Sequence, residues 1–273
     1  MQSIAEHLLV ENIADVNCQG GVYGNALQVA CWREHRDTVQ LLLEHKADVN
    51  AQGGQCGNAL HAAISKQNKD IVQLLLEHKA DVNAQGGQFG NALQAASIGG
   101  NKDIVQLLLK HKADVNAQGG QYGNALQAAS IGGNKDIIQL LLEHKAVVNT
   151  QCGQYGNALQ AASWRGNKDS VQLLLKHKAD VNAQGGQDGN ALQAASIGGN
   201  KDIMQLLLKH KTDVNAQGGK YGNALQAASL RGNKDIVQLL LEHKANVNAQ
   251  GESMGVPSRQ LLLNNTSILS GFF

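Results

Sequence analysis

The chain has no apolar run of the roughly 18 residues that a membrane-spanning helix requires. It has almost no excess charge: the formal net charge is +1. A large single-sign field of the kind that draws nucleic acid or an anionic membrane is therefore absent, and neither is expected as a partner. The opening segment, residues 1–10, carries Glu6 and His7 and lacks a basic start, so no secretory signal is read there. Cysteine is scarce and unordered. Cys18, Cys31, Cys56 and Cys152 form no Cys-x-x-Cys pair and recur in no register, as a zinc site or a disulfide framework would require. Free thiols in a reducing, intracellular setting, cytoplasmic or nuclear, are expected. Also missing are a Gly-x-Gly-x-x-Gly fingerprint between strand and helix and a phosphate-binding loop with Lys-Ser/Thr. Serine, histidine and aspartate recur at fixed spacing, so no triad can be singled out. Aromatics make up only 3% of the chain, too few and too clustered to form the core.

What is present is a 33-residue unit, repeated seven times almost unchanged. Val-Asn recurs with that step and no slippage, its asparagine at Asn17, Asn50, Asn83, Asn116, Asn149, Asn182, Asn215 and Asn248. Such a period signals a solenoid, in which each unit packs only on its neighbours. A solenoid offers one long surface rather than one enclosed pocket, which favours binding over catalysis.

The third unit shows the grammar. Asn83-Ala84-Gln85-Gly86-Gly87-Gln88-Phe89-Gly90 is rich in glycine that permits positive φ and reads as a hairpin. Asn91 then caps a short helix, and Gln94 reaches back in a variant of the capping box. The alanines of this helix keep it thin for close stacking. Gly99-Gly100 end it. Asn101 caps a longer helix with Asp103 in its first turn, favoured by the helix dipole. Ile104, Val105, Leu107, Leu108 and Leu109 make its apolar face, and Lys110, His111 and Lys112 suit its negative end.

This order of hairpin, short helix, turn and longer helix resembles the ankyrin repeat. Gly-Asn-Ala-Leu-Gln-Ala-Ala is similar to that family's Thr-Pro-Leu-His-x-Ala-Ala. Val-Gln-Leu-Leu-Leu-x-His-Lys-Ala-Asp-Val-Asn is similar to its second half. The wording further resembles ankyrin arrays of filamentous fungi attached to NACHT-type receptor proteins. The resemblance implies an all-α repeat fold, an ankyrin-type α-solenoid with short hairpin tips. It divides the chain into a half-repeat or cap helix at 1–16, seven repeats over 17–248, and a degenerate cap or tail at 249–273. The opening half-repeat suggests a piece of a longer array.

Three departures from the family pattern are consistent. Alanine stands where the family starts its first helix with proline. Glutamine stands in place of its histidine, except at His61. Lysine replaces the glycine after the second helix, at Lys46, Lys79, Lys112, Lys145, Lys178, Lys211 and Lys244. A left-handed residue there costs about 1 kcal/mol when it carries a Cβ.

Three positions of the repeat vary while the rest stay fixed. The hairpin-tip position reads Tyr23, Cys56, Phe89, Tyr122, Tyr155, Asp188, Tyr221. The position at the end of the short helix reads Trp32, Ser65, Ile98, Ile131, Trp164, Ile197, Leu230. Its neighbour reads Arg33, Lys66, Gly99, Gly132, Arg165, Gly198, Arg231. Every Tyr, both Trp and one Phe fall in the first two positions. In the family these positions line the concave face that grips partners, and Trp, Tyr and Arg dominate binding energy at interfaces. The expected contact residues are Tyr23, Trp32, Arg33, Lys66, Phe89, Ile98, Tyr122, Ile131, Tyr155, Trp164, Arg165, Tyr221, Leu230 and Arg231. Packing of the tip aromatics on the next hairpin is the competing reading.

The expected function is a protein–protein interaction scaffold, monomeric, binding another protein through an acidic segment. The alternative is a sensor array in which Trp and Arg stack a nucleotide-like or phosphorylated small molecule. No enzymatic activity, cofactor or metal is expected. The seven histidines at the second-helix ends (His45, His78, His111, His144, His177, His210, His243) recur about 8–10 Å apart by helix stacking. Metal ligands lie about 2 Å from the ion, so these histidines form a ladder rather than a cluster. The fifth repeat departs at Val147, Thr150, Cys152 and Ser170 together and is expected to be a weak joint.

Overall fold

The computed structural model describes residues 15–87 and 89–249. The expected cap helix at 1–16 and the expected cap or tail at 249–273 lie almost wholly outside the described residues. The chain divides into two compact units, Met1–Gln121 and Tyr122–Phe273.

In the first unit short and long helices alternate: α1 (Ala26–Trp32), α2 (Arg36–Glu44), α3 (Ala59–Ser65), α4 (Lys69–Glu77), α5 (Ala92–Gly99) and α6 (Lys102–Lys110). The second unit continues with α7 (Ala125–Gly132), α8 (Lys135–Glu143), α9 (Ala158–Arg165), α10 (Lys168–Lys176), α11 (Ala191–Gly198), α12 (Lys201–Lys209), α13 (Ala224–Leu230) and α14 (Lys234–Glu242). Within each unit, short helix packs on short helix and long on long, and each short helix packs on the long helix that follows it. Hairpins precede the short helices. One forms a two-stranded sheet, β1 (Gln85–Gly86) with β2 (Gly90–Asn91), and others close through a single bridge, as at Gly53 with Gly57 and Cys152 with Gly156.

The core is aliphatic. Leu27, Leu60, Leu93, Leu126 and Leu159 of the short helices are fully buried, as are Ile71, Leu75, Ile104, Leu108, Ile137 and Leu141 of the long ones. Alanines such as Ala62, Ala63, Ala128 and Ala129 occupy the tight seams between short helices. Cys31 joins this core, and burial pushes its thiol up to about 12.

Glycine is required where hairpins stack. Gly54, at φ +61°, places its backbone against the Tyr23 carbonyl of the preceding hairpin, and an added Cβ would overlap it. Gly120 meets Phe89, and Gly186 meets Tyr155, in the same way. Stacked tips also bond directly, the Gln55 amide donating to the Val22 carbonyl at 2.9 Å and that of Gln187 to Gln154 at 2.9 Å.

The expected capping box is present and does more than cap. Asn91 accepts the Gln94 amide at 2.9 Å, and Gln94 Oε1 accepts the Asn91 amide at 2.7 Å. Gln94 Nε2 then donates to the Ala117 carbonyl of the next hairpin at 3.2 Å. Gln28 joins its neighbour likewise, at Ala51 and Gly53 (3.1 and 3.2 Å). Each glutamine thus closes its own helix and holds the next repeat. His61 keeps the outward link, with Nε2 3.2 Å from the Gly90 carbonyl. It loses the inward one: its Nδ1 lies on Asn58 Oδ1 at 2.8 Å, and no imidazole atom accepts the Asn58 amide.

The corner after each long helix is left-handed. Lys46, Lys79, Lys112, Lys145, Lys178, Lys211 and Lys244 all have φ between +62° and +67°. Most close a Schellman-type turn, the Ala47 amide after Lys46 donating back to Leu42 at 2.9 Å; after Lys211 the Thr212 hydroxyl donates to the Leu207 carbonyl instead, at 2.8 Å. The carbonyl of the strained lysine is tied down by the asparagine one repeat earlier, Asn50 Nδ2 donating to Lys79 at 3.2 Å and Asn149 Nδ2 to Lys178 at 3.3 Å.

The asparagine before the long helix divides by unit. Asn68 and Asn101 cap their own helices, each accepting from the third residue of its helix at 3.1 Å. Asn167 and Asn200 make no cap. Their side-chain amides reach back to the short helix of the repeat before, Asn167 to Ser130 at 2.8 Å and Asn200 to Ser163 at 2.9 Å. Capping by local spacing is therefore correct for the first unit and overridden by packing in the second.

Candidate interaction surface

The short helix and the hairpin that leads into it bring the first two variable positions together. In the first repeat the Tyr23 and Trp32 rings meet at 5.8 Å between centroids, tilted by 33°. In the fifth, Tyr155 and Trp164 meet at 5.4 Å, tilted by 51°. The nine-residue spacing is the same in both pairs. Each tryptophan also carries a cation. Arg165 lies 5.8 Å from the Trp164 ring. Over Trp32 the cation is Lys66 of the following repeat, at 3.9 Å, and not the sequence neighbour Arg33, which is exposed in the C-cap of α1. Such contacts contribute roughly 0.5–1 kcal/mol at exposed sites.

The tip residues Tyr23, Phe89, Tyr122, Tyr155 and Tyr221 are all half-buried. The tip position thus serves packing and presentation at once, Tyr23 and Tyr155 each resting one flank on the tryptophan of their own repeat. Arg33, Arg165 and Arg231 are exposed, and Lys66 is half-buried. Leu230 is 50% exposed, whereas Ile98 is only half-buried. Ile131 is a correction: at 6% exposure it belongs to the core. Arg165 covers it, its Nε donating to the Ile131 carbonyl at 3.2 Å. Arginine at this position is thereby both a surface charge and a clamp on the preceding helix end. Gly198, at the same position one repeat later, has no room for a side chain, because a Cβ would overlap the Trp164 carbonyl.

Asp188 replaces the tip aromatic in the sixth repeat. Burial raises its carboxyl above the usual carboxylate range, while Arg231 and Lys220 pull it back. Lys220 also lies 5.5 Å over the Tyr221 ring, a cation the variable positions do not reveal because it sits just outside them.

A cleft of about 580 Å³ opens on this face of the first unit. Trp32 forms one wall and Phe89 with Ile98 the other; Ile64, Ala95 and the buried His61 line its base, and Cys56, Ser65, Gln55 and Gln67 complete it. The sequence carried one signal of it: Cys56 and Ser65 are both small where neighbouring repeats are bulky.

The histidine ladder lies away from this surface. His45, His144 and His243 each set Nδ1 within 2.9 Å of the backbone carbonyl four residues earlier, a helix-terminal role. Among the described residues, no helix is long and apolar enough to cross a membrane.

The family model for ankyrin repeats (3 copies) matches residues 1–86, 52–119, 92–185 and 159–251. The chain belongs to the ankyrin repeat family. Members of that family are generally protein–protein interaction modules and typically non-enzymatic scaffolds. No curated protein matches the sequence significantly.

Proposed function

We propose that this chain is an interaction scaffold whose hairpin tips and short-helix ends grip an acidic segment of a partner protein. The observation that carries this reading is the repeated cluster of tyrosine, tryptophan and cation, at Tyr23–Trp32–Lys66 and Tyr155–Trp164–Arg165. Large amphipathic rings held by packing lose little entropy on contact, and arginine and tryptophan are the residues that anchor interfaces. Of the seven residues beside the second variable position four are basic and none acidic, so the favoured partner surface is acidic. Free thiols fit an intracellular setting, and the neutral overall charge fits a monomer that binds through local patches.

Partner capture from the native host, followed by affinity measurement with the identified protein, tests this. Trp164→Ala with Arg165→Ala should cost about 2 kcal/mol or more, roughly 30-fold. Lys168→Ala with Lys201→Ala, on the long helices, should leave affinity within twofold. A partner that ignores the first pair, or that is lost with the second, overturns the assignment of the face.

The sensor reading gains a cleft of suitable size but not a suitable lining. The cleft walls are mostly apolar, and no arginine or lysine contributes to them; a phosphate group needs converging cations or amides. The likeness to fungal NACHT-linked arrays rests on the wording of the repeat alone.

A further inference from the structure

The cleft beside Trp32 is a gap in the variable stripe. Where the first repeat places Tyr23 and Trp32 and the third places Phe89 and Ile98, the second places Cys56 and Ser65. The fifth repeat shows the filled state: Tyr155 and Trp164 occupy those two positions and pack ring against ring. The second repeat keeps the same backbone, with Asn58 capping α3 and the Gly53–Gly57 bridge intact, and leaves the space open. The opening is therefore a property of two side chains rather than of a distorted repeat.

We infer that this gap is a socket for one bulky aromatic side chain of a partner segment, flanked by acidic residues. The inference rests on the scaffold reading above and names the chemistry of its partner in the first unit. The aromatic requirement follows from the walls. Trp32 and Phe89 face the space that a tip aromatic and a short-helix aromatic fill elsewhere in the chain, and rings prefer tilted or offset neighbours of their own kind. Desolvating the apolar base at Ile64 and Ala95 adds burial energy in proportion to area. The acidic requirement follows from two cations next to the Trp32 wall, outside the lining itself. Lys66 stands 3.9 Å over Trp32 and Arg33 is exposed beside it. No acid lines the cleft, and the Glu34 carboxylate in the adjoining turn is engaged by Asn68 Nδ2 at 3.3 Å. An aromatic residue with acidic neighbours meets both features at once, whereas a basic segment would be repelled at the rim.

The test uses the full chain and a random heptapeptide library displayed on phage. Selection should enrich peptides carrying a Trp, Tyr or Phe next to Asp or Glu. Synthetic copies of the enriched peptides should move the Trp32 indole NH resonance and leave that of Trp164 in place. Replacing the peptide aromatic by alanine should weaken binding at least tenfold, and replacing its acids by lysine at least fivefold. The deciding variant is Cys56→Tyr with Ser65→Trp, which closes the socket with the pair used in the fifth repeat. It should bind the same peptides at least tenfold more weakly while its thermal midpoint does not fall. A fall in that midpoint would be resolved by Phe89→Ala, which keeps the repeat core and removes one wall; the same loss of affinity is expected. No enrichment, enriched peptides without aromatics, or unchanged binding to the filled and wall-less variants would each overturn the socket. If enriched peptides instead move Trp164 and spare Trp32, the socket is wrong while the scaffold reading stands. If they contact only the long helices, both fail.

Discussion

Seven lysines hold φ between +62° and +67°, a region that costs a residue with a Cβ about 1 kcal/mol. The hydrogen bonds at these corners run through backbone atoms, so glycine would keep them and release the strain. Lys112→Gly should therefore stabilise the chain by about 0.5–1 kcal/mol, the gain being trimmed by glycine's larger entropy when unfolded. An unchanged or lower urea midpoint would refute this. His61 is the other informative residue. It lies between two oxygen acceptors and leaves the Asn58 amide without the glutamine that accepts it in other repeats. His61→Gln should restore that bond and add about 0.5–1 kcal/mol at neutral pH. Burial holds the imidazole below the usual histidine range, with the Gly90 carbonyl opposing. Because the folded value is depressed, the unfolded chain takes up the proton first as pH falls. Stability at this site is thus complete above about pH 6.5 and declines below it. The advantage of the glutamine variant should grow between pH 7.5 and pH 5; a constant advantage in urea titrations at both would show that His61 does not titrate in this way.

Among the elements, α10 is the outlier. Ser170 occupies the site filled by Ile71, Ile104, Ile137, Ile203 and Ile236 in five other repeats and by the exposed Thr38 in the first, and it is 1% exposed. Its hydroxyl is buried without a hydrogen-bond partner. Relative to isoleucine this forfeits roughly 2 kcal/mol of apolar burial and adds an unsatisfied polar group. Val147 compounds the loss: it has no carboxylate for the Asn149 amide, where Asp48 and Asp180 bond Asn50 and Asn182 at 2.9 Å. Cys152, by contrast, is no defect. Its amide closes the hairpin on Gly156 at 2.7 Å, and its Sγ donates to Gln127 Oε1 at 3.1 Å. In a solenoid such deficits stay local, so amide exchange over residues 147–171 should exceed that of the third and fourth repeats. Ser170→Ile should abolish the difference; equal protection without the substitution would sink the idea. Most of this was legible in the sequence. Hairpin, capping box and apolar face depend on contacts within a few residues, and seven copies announce them. Less legible were contacts that cross a repeat. Nothing local shows that Lys66, 34 positions on, supplies the cation for Trp32, or that Asn167 abandons its cap for Ser130. Ile131 belongs with these: it is 6% exposed, and Arg165 of the following repeat bonds its carbonyl, neither of which its own repeat reveals.

Across the whole chain, charge is laid out as a surface ladder. Lys69–Asp103 and Lys168–Asp202 close at 3.1 Å, and Lys135–Asp169 and Lys201–Asp235 at 3.9 Å, all with both partners about half-exposed or more. Pairs of this kind contribute 0–1 kcal/mol each and are screened by salt. Raising sodium chloride from about 0.05 to 0.5 M should move the thermal midpoint by less than about 2 °C. The same change should weaken the acidic peptides selected above several-fold. A large salt-dependent loss of stability would show the ladder to be more than ornament on an aliphatic core.

The glutamine that closes every described short helix but α3 also sets the terms on which repeats can be exchanged. Gln28, Gln94 and Gln160 recognise only backbone carbonyls of the hairpin that follows, and Gly54, Gly120 and Gly186 recognise only backbone of the hairpin before. Side chains particular to one repeat cross a joint at few places, as where Arg165 bonds the Ile131 carbonyl and Cys152 bonds Gln127. Within each unit most joints are therefore interchangeable, like a thread of standard pitch. Excising residues 182–214 rejoins Val181 to Asn215 in unbroken register, and the shortened chain should fold cooperatively with proportionally less helix by circular dichroism. Copy number is then free to change by recombination without disturbing the fold. The variable positions travel with each repeat as a cassette, so new recognition surfaces arise by reshuffling whole repeats rather than by redesigning any one of them.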